Sequence, residues 1–174
     1  MTEDANYLWT KRYEALYRAE LSSLYHRKRE RFFENFDRIA KVIAIIGGSV
    51  AFANVGGPEL VRWSAAVITL TSTVALVFGL GERARRHAEL ASEFARVQSD
   101  IVAHGERDFS EEDIRRWDER TRLLEAKEPA TLGALAQLCQ NQLNIAHAHP
   151  ERVMSLPWYQ RLLAHFWDFP ATIV

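Results

Sequence analysis

IAKVIAIIGGSVAFANV (residues 39–55) and WSAAVITLTSTVALVFGL (63–80) decide how this chain is read. Each is roughly 17–18 residues, the short end of what crosses a bilayer core of about 30 Å as a helix. From Val42 to Leu80 only Glu59 and Arg62 carry charge, while both flanks are densely charged. Lys41 falls in the first turn, where its apolar stem lets the ammonium reach the headgroups. Between the two stretches, Gly56-Gly57-Pro58-Glu59 reads as a turn that ends one helix before the next begins. The competing reading is a pair of buried helices in a soluble bundle. Against it, neither stretch has the charged face that such helices turn to water. Basic residues also gather on one side: Arg27, Lys28, Arg29, Arg31, Arg38 and Lys41 before the first stretch, Arg83, Arg85 and Arg86 after the second. The connecting loop offers only Arg62, the asymmetry of a chain whose ends stay inside. The expected fold is all-α: an integral membrane protein with a two-helix transmembrane hairpin (37–81). A cytoplasmic N-terminal helix (1–36) precedes it and a cytoplasmic helical region (82–174) follows.

Whole-chain averages conceal this pattern. The 174 residues carry 22 Lys and Arg against 23 Asp and Glu, and this balance argues against a generic nucleic-acid binder. Cys139 is the only cysteine, so no intrachain disulfide can form, and it reads as a small core residue in a reducing compartment. The N-terminus, with Glu3 and Asp4 ahead of Tyr7 to Trp9, lacks a basic region followed by an apolar one, so no cleavable signal peptide is expected.

Within the spans, small residues recur four apart: Ala40, Ala44 and Gly48 on one face, Gly47 and Ala51 on another. That spacing lets helix backbones approach closely in lipid, either within one subunit or between subunits. The second span is two-sided. At about 100° per residue, Arg62, Ala65, Thr69, Ser72, Thr73, Leu76 and Arg83 share one broad face, and Val67, Leu70, Val74, Val77 and Phe78 the other. A hydroxyl face beside an aliphatic one suits lipid on one side and protein or water on the other. Two helices cannot enclose an aqueous path, so a pore needs several subunits, with Thr69, Ser72, Thr73 and Leu76 lining it and Ser49 and Asn54 as the matching positions of the first span. The alternative is that these hydroxyls bond their own backbone carbonyls.

Outside the spans the pattern stays helical. Residues 5–36 contain no Gly or Pro and carry a stripe of Tyr13, Tyr17, Leu21, Leu24, Phe32 and Phe36 that packs on another helix or, alternatively, stacks bases. His87, Leu90, Phe94, Val97 and Ile101 follow three-four heptad spacing, the seam of a coiled-coil-like stalk ended by Gly105. Ser110-Glu111-Glu112-Asp113 is an N-cap with an acidic first turn, and the helix it opens turns Ile114, Trp117, Thr121 and Leu124 inward. A further helix fills Thr131 to about Ala148, and Pro157 opens a short final one with Trp158, Leu162, Phe166, Trp167 and Phe169. That last piece lies on the membrane surface, in a groove of the assembly, or against the other cytoplasmic helices.

No catalytic constellation emerges, and an enzyme is not expected. His147 and His149 fall roughly 200° apart on a helix, on opposite faces, which disfavours a shared metal. Gly47-Gly48, Gly56-Gly57 and Gly79-x-Gly81 form no phosphate loop. No cofactor is expected. Arg115, Arg116, Arg120 and Arg122 alternate with Glu111, Glu112, Asp113, Asp118 and Glu119, usually a solvated, salt-bridged face.

Taken in order, the lead-in YHRKRERFFENFDRIAKVIAIIGGSV, the Gly-Pro turn, the span ending at GLGERARRHAEL, the helix ASEFARVQSDI and the late helix around LAQLCQNQLNIAHA resemble the SLATT family of two-helix membrane effectors, over roughly Tyr25 to His147. The resemblance implies a pore-forming effector of bacterial antiphage defence that depolarises the inner membrane, both termini cytoplasmic. Without a sensor domain of its own, the chain is similar to the channel component of a Hailong-type system. A partner nucleotidyltransferase there makes a DNA oligomer that holds the channel shut. The implied assembly is a homo-oligomer, a tetramer, in a lipid bilayer. An oligonucleotide would find phosphate contacts at Arg115, Arg116, Arg120 and Arg122, or at Arg27, Lys28, Arg29 and Arg31; the latter cluster equally sets topology and binds anionic lipid. Two other readings stay open. One is a holin-like lysis protein, against which the long region after Leu80 weighs; the other is a non-conducting anchor for a soluble partner.

Overall fold

The computed structural model describes residues 3–53, 57–106 and 108–169. Helix is the only regular structure among them: α1 (Glu3–Ala53), α2 (Gly57–Val77), α3 (Leu80–Ala103), α4 (Glu111–Glu125), α5 (Gly133–Ala146), a 3-10 turn (Pro150–Arg152) and α6 (Trp158–Leu163). α1 runs without a break, as its freedom from proline permits. Gly79 separates α2 from α3. It sits at φ +55, a conformation only glycine adopts cheaply; its amide bonds the Leu76 carbonyl at 3.2 Å and its carbonyl receives the Arg83 amide at 2.9 Å. Gly105, at φ +70, closes α3 in the same way, its amide on the Val102 carbonyl. Ser110 opens α4 with a reciprocal box: the Asp113 amide donates to its hydroxyl at 3.3 Å, and its own amide donates to the Asp113 carboxylate at 2.9 Å.

The chain divides into two compact units. Unit 1 joins the first part of α1, to Lys28, with everything from Ala88 onward. Its first core cluster is Ala19 of α1, Phe94, Val97 and Ile101 of α3, and Trp117 and Leu124 of α4. The α3 heptad seam is thus buried, and in unit 1 its partner is α1 of the same chain. Small and polar side chains face it there: the Ser23 hydroxyl donates to the Ala91 carbonyl at 3.1 Å, and Arg12, almost fully buried, donates to the Ile101 carbonyl at 3.2 Å with its guanidinium over Phe109. A cation on the last carbonyls of α3 also answers the negative end of that helix. His26 lies wholly buried, stacked on Phe94 at 5.8 Å with Nε2 3.0 Å from the Glu128 carboxylate.

The second cluster of unit 1 is Tyr25, Ala134, Leu135, Cys139 and Ala164, with Leu21, Leu24, Leu156 and Phe169 against it. α5 has no side-chain cap of its own; the Leu132 amide donates to the Tyr25 hydroxyl and the Gly133 amide to the Asp168 carboxylate, both at 3.0 Å. An anion at a helix start is favourably placed, so Asp168 serves as a cap from a distant part of the chain.

Unit 2 runs from Arg29 to His87 and contains the second part of α1, all of α2 and the first turns of α3. Beyond its first residue, the least exposed residues of α2 are Val61, Ser64, Ile68, Thr71 and Ala75, a stripe at helical spacing. It meets α1 closely at Gly47, where an added Cβ would stand 2.7 Å from Ile68 Cδ1. Gly48, by contrast, has nothing within 4 Å of such a Cβ. The close approach therefore falls at Gly47; Gly48 itself is exposed, although Ala40 and Ala44, which share its face, are half-buried. Phe33 anchors the charged end of the unit: it is buried, stacked on His87 at 5.6 Å, and covered by the guanidinium groups of Arg29 at 4.5 Å and Arg83 at 5.9 Å.

The helical run from Gly57 to Ala103 is the one helix among the described residues that is long and apolar enough to cross a membrane, and none of its apolar window is buried. α1 offers no comparably uncharged length among those residues. Its apolar stretch up to Ala53 is preceded closely by Asp37, Arg38 and Lys41.

Candidate functional site

Two places gather the residues singled out in the sequence. The first is the open side of α2. No residue of this helix is buried in the chain itself. Leu70, Leu76 and Val77 are each about two-thirds exposed or more, and Thr69, Ser72 and Thr73 are exposed beside them. At 100° per residue the hydroxyl stripe lies roughly 110° around the helix from the stripe that meets α1, so the two do not compete for the same neighbour. The Thr69 hydroxyl donates to the Ala65 carbonyl and that of Ser49 to the Ile45 carbonyl, both at 2.8 Å; Thr71 bonds Val67 in the same way, and Ser64 bonds Leu60. Such back-bonds satisfy the hydroxyl proton inside an apolar medium while leaving oxygen lone pairs on the surface. Asn54 lies outside the described residues. Beside the helices a shallow apolar groove of about 350 Å³ is lined by Ile43, Ile46, Gly47, Trp63, Ser64 and Val67 among others.

The second place is in unit 1, and it divides the four arginines of α4. Arg115 and Arg122 line a groove of about 240 Å³ together with Lys11 and Arg18 of α1, with Glu14 and Asp118 as its acidic members. Arg116 and Arg120 instead engage the end of α3: Arg116 approaches His104 at 3.4 Å, and Arg120 pairs with Asp100 at 2.5 Å. All four are paired, Arg115 with Glu112 at 2.6 Å, Arg116 with Asp113 at 2.8 Å and Arg122 with Asp118 at 2.8 Å. These bridges are open to solvent, and exposed pairs contribute about 0–1 kcal/mol each, so a multivalent anion would displace them cheaply. Lys11 and Arg18 were not singled out in the sequence, although their spacing of seven puts them on one face of α1.

The ionisable groups of unit 1 follow local contacts. The Ser110 hydroxyl, and then its amide, hold the Asp113 carboxyl below its ordinary value, assisted by Arg116 and His104. The Asp118 carboxylate holds Arg122 up. Burial pushes the Cys139 thiol up to about 11, which leaves it protonated and inert at neutral pH. His147 and His149 go to different carboxylates, Glu20 at 2.9 Å and Glu151 at 3.0 Å, and share nothing. The chain matches no protein-family profile, no curated protein and no solved structure.

Proposed function

We propose that this chain is the subunit of a homo-oligomeric, ligand-gated pore, and that both α2 and the apolar end of α1 cross the membrane as a hairpin. One observation carries the reading: a 21-residue apolar helix has no buried residue in its own chain and bears a hydroxyl stripe on a side that α1 does not cover. In lipid, its aliphatic side is satisfied by acyl chains, and the stripe of Thr69, Ser72, Thr73 and Leu76 by the same stripe of neighbouring subunits around an axis. Leu76, 82% exposed, is the large apolar member that would constrict the path. The Phe33–Arg29–Arg83 collar then sits at headgroup depth, where aromatic rings and arginine are both at home.

The resemblance noted in the sequence supplies the biological setting: an antiphage effector of the bacterial inner membrane, four chains to a pore, held by a nucleotide or DNA oligomer from a partner nucleotidyltransferase. The Lys11–Arg18–Arg115–Arg122 groove is where polyphosphate would exchange for Glu14 and Asp118. A ligand there gates only by binding closed and open states with different affinity. The second reading, a non-conducting anchor, is favoured by one feature, the back-bonds of Thr69 and Ser49, which need no water.

A voltage-sensitive dye in cells expressing the chain alone, beside Thr69→Leu/Thr73→Leu at equal expression, separates the two. Depolarisation by the wild type and not by the variant supports the pore. Full polarisation in both, with the partner enzyme present or absent, moves the reading to the anchor.

A further inference from the structure

Large apolar side chains stand open along the C-terminal segment of unit 1. Trp158 is 76% exposed, Leu162 68%, Phe166 60% and Trp167 68%. Tyr159 and Leu163 are partly open next to them. The other side of this segment is fixed: Ala164 is fully buried, Leu156 and Phe169 pack on the Tyr25–Cys139 cluster, and Asp168 receives the Gly133 amide. Asn141 accepts the Met154 amide at 3.0 Å and donates to the Met154 carbonyl at 2.6 Å, which pins the approach to it. The open face is therefore preformed. Within unit 1 this segment shares a core cluster with Tyr25 of α1, whose hydroxyl accepts the Leu132 amide, while Asp168 accepts the neighbouring Gly133 amide.

The chemistry of this face selects its occupant. Two tryptophans and a tyrosine within ten residues, amphipathic rings with a polar edge, are the composition of a membrane–water interface. Arg161, exposed in the same turn as Trp158 and Leu162, has no ion pair among the described residues. A protein partner would have to bring a carboxylate to that one spot, whereas an anionic bilayer presents phosphate everywhere. We propose that Trp158, Leu162, Phe166 and Trp167 insert into the interfacial layer of an anionic bilayer, with Arg161 on a lipid phosphate. This rests on the reading that α2 crosses the same membrane.

The test uses the full chain in vesicles of phosphatidylcholine and phosphatidylglycerol, spin-labelled at Leu162→Cys or at Leu70→Cys in a Cys139→Ala background. Unaltered Cys139, whose buried thiol labels slowly, is the second background. Collision with oxygen, which concentrates in lipid, is compared with collision with a water-soluble nickel complex. Both labels are expected to be oxygen-accessible and nickel-shielded. Arg161→Gln, or vesicles without phosphatidylglycerol, should lower the inserted-to-free ratio at residue 162 about fivefold, the equivalent of ~1 kcal/mol per basic residue at an anionic surface, and leave residue 70 unchanged. Residue 70 in lipid with residue 162 in water overturns the proposal and spares the spanning helix. Residue 162 shielded from both reagents overturns it in favour of a protein contact. Both labels in water removes the membrane reading itself.

Discussion

Replacing Gly47 by alanine tests how α1 and α2 meet in unit 2. The new Cβ would stand 2.7 Å from Ile68 Cδ1 and 2.8 Å from Cγ1, against about 3.5–4.0 Å for relaxed carbon contacts. Ile68 must leave its rotamer or the helices must part, and overpacking of this kind costs about 1–3 kcal/mol. Replacing a mid-helix glycine by alanine returns about 1 kcal/mol of propensity. Gly48→Ala takes the same gain with open space around it, so the two alanine variants should differ by about 1–3 kcal/mol in stability. Ile68→Ala deletes both clashing atoms, and in its presence the Gly47→Ala penalty should vanish, a coupling of the same size. The assay is reversible unfolding of purified protein in mixed micelles, read by helical circular dichroism across the four variants of the cycle. Equal stabilities for Gly47→Ala and Gly48→Ala, or no coupling to Ile68, would refute the close approach.

Three further outcomes concern unit 1. Phe94→Ala should cost about 3–5 kcal/mol, because the ring is fully buried between His26 and the α4 core; chemical denaturation measures it. The raised Cys139 thiol sets a pH dependence. The unfolded thiol ionises near 9 and the folded one at about 11, so the unfolded state binds fewer protons between them and stability falls as pH rises through that window. Cys139→Ala should flatten that part of the profile, and at neutral pH a thiol reagent should modify wild-type protein only as fast as it unfolds. Ser110→Ala should cost about 1 kcal/mol as a lost cap and raise the Asp113 carboxyl, seen by carboxyl-carbon NMR. Because that carboxyl is depressed when folded, its contribution is complete above 3.8 and is lost as pH falls through the depressed value.

What could be read in the sequence were features whose signal is local or periodic. The α3 seam of His87, Leu90, Phe94, Val97 and Ile101 is buried at every position, and Ser110 caps α4 with Asp113 reciprocating. The face of α1 that meets this seam could not be read, since Arg12, Ala19, Ser23 and His26 carry no hydrophobic period; they fit because small side chains admit a close helix and the polar ones find partners on α3 and α4. Within unit 1 the seam packs on α1 of the same chain. Arg115, Arg116, Arg120 and Arg122 look like one cluster on a line of letters, but the helix sends them to two places, and the neighbours that complete the groove, Lys11 and Arg18, come from a helix about a hundred residues earlier. Asp168 as the cap of α5 was likewise illegible, because nothing local links it to Gly133.

If this chain conducts ions through a path lined by α2, purified protein in a planar bilayer carries current. Wild-type protein should then show discrete openings whose unit conductance changes with Leu76→Ala, which widens the constriction, and not with Leu70→Ala on the aliphatic side. Incorporated protein, verified by label at residue 70, that passes no current with or without oligonucleotide would contradict the proposal.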